Sequence, residues 1–372
     1  MIYMIGGSGG PNFGDDLILS LWVRFYRENG YHGPIVVDCL GGQSSEKLHG
    51  KLEGVFFTSF IKDLAKGREG DFSYYIEKGR KFFLDSARDI LLRLGFDESF
   101  AKVKLVHLYG GGYINGVWPN SGSLLGAVSQ MRSQFGTPCV ATGLGISPLG
   151  NLSSGEKTAL SSAISSFDVF ELRDSISYNE IVGFSGFSNR IIYGLDDTFL
   201  YPASDLSGKK KGSALHISGF TKSFSEWSSQ QLGDFFSTCG SQFENVYFWV
   251  CNKSDVLAGD KIKQAYPALK KLTNNKLINT GMPVSSGDVM ITARFHPHLL
   301  GARLGCQGYY LASSPFYKLK HKSVIDLGSP YLQTQSIAMD GAHRIQGTIV
   351  ERESDLVVRK NLLAKYILAS LL

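Results

Sequence analysis

Arg294 and His296 stand two residues apart in Ala293-Arg294-Phe295-His296-Pro297-His298, just after the apolar run Val289 to Thr292. Side chains alternate along a strand, so Arg-x-His at a strand end would put both groups on one face. Pro297 suits the first turn of a following helix, where its missing N–H costs nothing. Leu299, Leu300, Ala302 and Leu304 continue that helix to Gly305. A fixed cation, a titratable ring and a helix N-terminus directed at one point make an anion site, for a phosphate or a carboxylate. His298 falls one turn into the helix, as a structural or substrate-side neighbour.

A second concentration of chemistry is Gly6 to Ile18, GGSGGPNFGDDLI. Glycines such as Gly14 let backbone approach a ligand, and Asn12 can bond to that ligand or fix the loop. The pattern lacks the Gly-Lys-Ser/Thr ending of a phosphate-binding P-loop, and acidic residues occupy the helix start where a dinucleotide fingerprint has none. One of Asp15 and Asp16 is expected to cap the helix and complement its dipole. The other is then open to orient or deprotonate a sugar hydroxyl. Two more glycine turns follow apolar runs: Gly110-Gly111-Gly112-Tyr113-Ile114-Asn115, and Gly143-Leu144-Gly145-Ile146-Ser147-Pro148. Three such turns at successive strand ends point to one ligand-binding edge of a sheet. Arg173 follows another apolar run, either facing a ligand or paired at the surface with Asp174 or Glu171. Lys318 and Lys322 lie in an aromatic and basic stretch, Ser314 to Lys322, from which a lysine could reach an anion.

These residues need a scaffold that presents strand ends together. Short apolar runs recur at Ile2 to Ile5, Ile35 to Val37, Leu105 to Tyr109, Pro138 to Thr142, Val169 to Leu172, Ala214 to Ile217, Val246 to Val250, Val289 to Thr292 and Gly308 to Leu311, with helical stretches between. That alternation predicts an α/β fold with parallel sheets. The segment from Asp196 to Gly212, with Pro202, Gly208 and the run Lys209-Lys210-Lys211, is the linker candidate. The division is therefore residues 1–200, residues 201–350, and a C-terminal helix over 351–372 packing back on the body. Within the first part, Phe56, Phe57, Phe60, Ile61 and Leu64, then Phe82, Phe83, Ser86, Ile90, Leu91 and Leu94, sit at helical spacing, so a helical insertion is expected at about 44–104.

At 372 residues with 43% hydrophobic and 19% charged residues, the chain is long enough for two ordinary globular domains. No apolar tract is long enough to span a bilayer. Met1-Ile2-Tyr3-Met4-Ile5 lacks the basic leader and length of a signal peptide and reads as a first strand, giving a cytoplasmic expectation. Five dispersed cysteines argue against a disulfide framework and a zinc site. A net charge of +5 without a basic stripe speaks against nucleic acid and suits anionic small substrates. The basic, aromatic insertion also allows peripheral contact with an anionic membrane surface.

The order of these motifs resembles the polysaccharide pyruvyl transferase family. The resemblance runs through Asn-x-Gly-Asp-Asp at Asn12 to Asp16, GGG at 110–112, GLGISP at 143–148, Arg173-Asp174-Ser175, Asp197-Thr198-Phe199-Leu200, Arg294-Phe295-His296 and the lysine-bearing segment 317–322. It departs at Thr198, where proline is usual, and in the aromatic insertion. The resemblance implies two Rossmann-like domains of GT-B type, with residues 1–200 on the acceptor side and 201–350 on the donor side. It implies phosphoenolpyruvate as donor, a sugar or glycan acceptor, free or lipid-linked, and no resident cofactor or metal. Arg173, Arg294 and His296 would hold the donor, with His296 the leading general acid or, alternatively, the donor to the departing phosphate, and the Asn12 to Asp16 loop would face the acceptor. The competing reading is a GT-B glycosyltransferase using a nucleotide-activated sugar, whose diphosphate the same glycine turns and helix terminus would bind. A non-catalytic sugar-binding protein is the third.

Overall fold

The computed structural model describes residues 1–49, 52–67, 69–93, 102–334 and 347–369. The chain divides into two compact units. The first comprises Met1–Gly10, Ile18–Leu200 and Arg359–Leu372, and the second Pro11–Leu17 and Tyr201–Val358. The division therefore exchanges two short pieces: Pro11–Leu17, which includes the start of the helix Phe13–Glu28, groups with the second unit, and the C-terminal helix from Arg359 on groups with the first.

In the first unit, β1 (Ile2–Ile5), β2 (Ile35–Asp38), β3 (Val55–Thr58), β4 (Leu105–Leu108), β5 (Cys139–Leu144), β6 (Val169–Leu172) and β7 (Ile191–Tyr193) form one sheet in the order β3-β2-β1-β4-β5-β6-β7. Every pairing between these strands is parallel, with Ile2 opposite both Ile35 and Leu105. The central strands β1, β2, β4, β5 and β6 are buried along their whole length, because helices cover both faces. Tyr3, Ile5, Val106, Leu108 and Ala141 meet Leu124, Val128 and Met131 of the helix Gly122–Phe135 in the core.

The second unit repeats the design. Strands β8 (Ala214–Ser218), β9 (Asn245–Val250), β10 (Lys270–Thr273), β11 (Val289–Thr292), β12 (Gln307–Tyr310) and β13 (Leu332–Gln333) lie in the order β10-β9-β8-β11-β12-β13, again parallel throughout. Leu215, Ile217, Phe248, Val250 and Ile291 pack with Phe220, Phe224 and Phe236. In both sheets the strand order reverses beside the first strand, between β1 and β4 and between β8 and β11. Ligands of open α/β sheets bind at that switch point, outside the carboxyl ends of the strands.

All nine apolar runs are strands. Four further strands, β3, β7, β10 and β13, complete the sheets. The expected insertion is part sheet: Phe56 and Phe57 lie in β3, not in a helix, followed by a 3-10 turn Lys62–Ala65 and the long helix Phe72–Arg93. A four-residue strand followed directly by a tight turn mimics helical spacing, which is why the pattern misled. Leu94 and its neighbours to residue 101 lie outside the described residues. The linker candidate is not an open loop; it carries two 3-10 turns, Asp197–Leu200 and Ala203–Leu206, with Asp197, Phe199 and Leu200 buried. Lys210 in its basic run pairs with buried Asp288 at 2.8 Å.

Candidate active site

In the second unit, β11 ends at Thr292 and the next helix begins at Phe295 with Arg294 as its N-cap (φ −113°, ψ 139°). The helix starts two residues earlier than Pro297 indicates, so His296 belongs to its first turn and not to the strand. Proline is accommodated because the first-turn amides have no acceptor within the helix. Thr292 Oγ1 accepts from the Arg294 amide at 2.9 Å and is itself bonded to Ser218 at 2.6 Å, tying β11 to β8 at the switch point. Gly219, at φ +79°, follows β8; a Cβ there would press on Arg294 Cγ and Nε at 2.8 and 2.9 Å. That glycine is what lets the arginine stem cross the end of β8.

Arg294 Nη2 donates to Asp255 Oδ1 at 2.6 Å, and its Nε is buried with no hydrogen-bond partner among the described residues. Burial opposes the guanidinium charge, but Asp255, together with Cys251 and Tyr317, outweighs it and lifts the pKa above the ordinary arginine value. His296, 8% exposed, stands edge-on to Phe295 with ring centroids 5.0 Å apart. The segment Pro11–Leu17, which enters the helix Phe13–Glu28, packs against this site. Phe13 N donates to Cys251 O at 2.9 Å, Asn12 forms an antiparallel bridge with Asn252, and the Phe13 ring meets Trp249 edge-on at 5.6 Å. Gly14 then comes so close to His296 that a Cβ would overlap the imidazole, with Nδ1 the nearest atom.

Both aspartates lie inside the first turn of the helix Phe13–Glu28, not ahead of it as caps, and both engage Asn12. The Asn12 amide donates to Asp16 at 3.1 Å and its side-chain nitrogen to Asp15 at 2.7 Å. Asp16 is fully enclosed, whereas Asp15 retains 7% exposure. His298 is sealed inside the unit, its ring stacked on Tyr310 and Tyr331. Its Nδ1 faces His321 Nδ1 at 2.8 Å and its Nε2 faces Ser329 at 2.8 Å. Lys318 is exposed on the helix Pro315–Asp326, and Lys322 pairs with Asp326 one turn on at 2.8 Å.

The first unit gathers the other motifs into a buried polar network. Asp197 Oδ2 accepts from the Gly110 amide at 2.8 Å and from Thr142 at 2.9 Å, and Glu171 accepts from the amides of Gly143 and Leu195, each at 3.0 Å. Lys360, from the helix Glu353–Ala369, pairs with both carboxylates, lying 2.5 Å from Asp197 Oδ1. Burial raises the Glu171 carboxyl pKa, while Lys360 draws it back. Gly143, at φ +56°, has no room for a Cβ because Asp197 occupies that space. Gly111 O accepts from Gly145 N at 3.0 Å, so the two glycine turns are joined. Asn115 bonds Gly112 O and accepts from the amides of Val117 and Trp118, and Tyr113 donates to Tyr109 O. Arg173 is buried, 2.9 Å from Asp196, rather than paired at the surface. Asp174 is spent capping the next helix at Ser177, and Glu171 on Lys360.

Sequence reasoning passed over Asp255, Gly219 and Lys360. Asn252-x-x-Asp255 after an apolar run is a legible helix-start pattern, and the structure shows that capping box. Lys360 left no signal, being one lysine in an amphipathic helix. Among the described residues no group of acidic, histidine or cysteine side chains could hold a metal, and no helix is long and apolar enough to cross a membrane.

Two Rossmann-like units, one with an arginine and a histidine at its strand switch, define a two-domain α/β fold. The model of the polysaccharide pyruvyl transferase family matches residues 12–315, from the Asn12 loop to the start of the lysine-bearing helix. The chain belongs to that family and is a transferase of polysaccharide biosynthesis. No curated protein sequence matches it. Among solved structures, the UDP-GlcNAc 2-epimerase from Neisseria meningitidis bound to UDP-GlcNAc is 10% identical over 100% of this chain and 98% of its own, with a TM-score of 0.55. The UDP-GlcNAc 2-epimerase from Methanocaldococcus jannaschii is 8% identical over 99% of each chain, with a TM-score of 0.52. At these identities the likeness is one of fold.

Proposed function

We propose that the protein transfers the pyruvyl group of phosphoenolpyruvate to two hydroxyls of a sugar in a glycan, forming a ketal and releasing phosphate. The observation that carries this reading is the meeting of Arg294, His296, a helix N-terminus and the Asn12 to Asp16 loop at the switch point of the second sheet. Phosphoenolpyruvate offers a carboxylate and a phosphate, and a guanidinium beside a helix N-terminus is the arrangement that favours such groups. His296 gives a proton to the methylene carbon while one sugar hydroxyl adds to the adjacent carbon and loses its proton. The second hydroxyl then displaces phosphate from that carbon, closing the ring, and its proton leaves with the phosphate. Imidazole chemistry suits the proton transfer near neutral pH. We assign the hydroxyl proton to Asp15, since Asp16 is enclosed and held by backbone. Arg173 we assign to holding the Gly145 turn through its pair with Asp196.

The test is incubation of the purified protein with phosphoenolpyruvate and acceptors ending in galactose, glucose or N-acetylmannosamine, with UDP-sugars as the parallel arm. Phosphate release matched by pyruvylated acceptor supports the reading. Glycosyl transfer from a UDP-sugar, without either product from phosphoenolpyruvate, refutes it. Arg294→Ala and His296→Ala are each expected to slow ketal formation by about a hundredfold or more.

A further inference from the structure

The geometry points to Asp255 as a positioning residue for the transfer, one carboxylate aiming Arg294 with one oxygen and seating the Asn12 loop with the other. This rests on the reading that Arg294 holds the donor anion. Asp255 is wholly enclosed at the start of the helix Lys253–Ala265. Its Oδ1 takes Arg294 Nη2 at 2.6 Å. Its Oδ2 accepts from the amides of Cys251 and Asn252 at 3.0 and 3.1 Å. Those two residues receive the loop: Cys251 O accepts from Phe13 N, and Asn252 bridges to Asn12. The same loop brings Gly14 against His296. One side chain thus fixes the direction of the arginine and the seat of the segment that confines the histidine.

The two functions of the carboxylate are separable. A capping acceptor needs an oxygen, but an aiming partner for a guanidinium needs negative charge. Asp255 accepts one Arg294 N–H, on Nη2, while Nε has no hydrogen-bond partner among the described residues, so the guanidinium is steered without being consumed. A neutral amide in its place retains the cap and releases the arginine.

Asp255→Asn separates these roles. Its melting temperature should stay close to that of the wild type, because one amide oxygen still accepts from the Cys251 and Asn252 N–H groups. Calorimetric affinity for phosphoenolpyruvate should fall by roughly tenfold or more, with KM for the donor rising more than kcat falls, as expected when a substrate-holding group is no longer aimed. Asp255→Ala should lose stability as well. Equal phosphoenolpyruvate affinity in wild type and Asp255→Asn overturns the proposal, as does a lowered melting temperature with unchanged donor affinity of the folded variant. A wild-type protein that binds no phosphoenolpyruvate removes the donor assignment itself, and this proposal with it; wild-type binding with an indifferent variant removes only the proposal.

Discussion

Replacing Gly14 with alanine asks whether the contact between the Asn12 loop and His296 is functional packing. Gly14 is the second residue of the helix Phe13–Glu28, where alanine is favoured over glycine by roughly 0.5–1 kcal/mol on backbone grounds. The new methyl group would occupy the space of the His296 ring, overlapping Nδ1, Cγ and Cε1. Forcing an extra carbon into a packed site costs typically about 1–3 kcal/mol. The two effects leave a net destabilisation of about 0–2.5 kcal/mol, a lowering of melting temperature by several degrees at most. Activity should respond far more strongly. The ring must turn or retreat, and misplacing a reacting group by about 1 Å costs on the order of a hundredfold in rate. Phosphate release from phosphoenolpyruvate, coupled to acceptor pyruvylation, should therefore fall by about two powers of ten while the protein stays folded. Gly14→Ala/His296→Ala should regain the lost stability, since the ring that meets the methyl is gone, and remain inactive. Gly14→Ala turning over within about threefold of wild type, with an unchanged melting temperature, would show that the contact leaves the histidine where it is and refute the argument.

Lys360→Met leaves Glu171 and Asp197 buried without their cation and should cost about 3–5 kcal/mol by denaturant unfolding. Adding Asp197→Asn should return part of that loss, and a cost for Lys360→Met below about 1 kcal/mol would show that the pair is not the anchor of the glycine turns. Acid should weaken the second unit through the His298 and His321 pair. Burial holds His321 at about 4, and burial with the nearby His321 holds His298 well below its ordinary value. Since the folded values lie below the unfolded one of about 6.5, stability is whole above that pH and declines as pH falls toward 4, by about 1.4 kcal/mol per unit for His321 alone. Unfolding free energies measured across that window should fall less steeply in His321→Gln than in wild type; parallel slopes would contradict the assignment.

The central strands were readable because burial on both faces demands continuous apolar runs. The four missed strands stand toward the sheet edges, where that demand lapses: β10 buries only Leu272, and β13 is exposed throughout. Arg294 and His296 were legible as a pair, but not as a cap and a first-turn residue, since helix entry is set by the Thr292 bond and not by Pro297. The glycine turns were legible as places needing space. What fills the space was not: Gly143 makes room for Asp197, which sits more than fifty residues later in the chain. The same applies to Asp255, whose link to Arg294 spans two strands and appears only on folding.

The placement of Pro11–Leu17 also bears on the order of assembly. Asn12 and its bridge partner Asn252 are separated by about 240 residues, so the loop leaves the ribosome roughly 10–50 s before its binding surface at synthesis rates of 5–20 residues per second. Through that interval Phe13 has no Trp249 to pack on, and the loop is a nascent apolar segment awaiting its surface. The residues that confine His296 are thus made well before the surface that seats them.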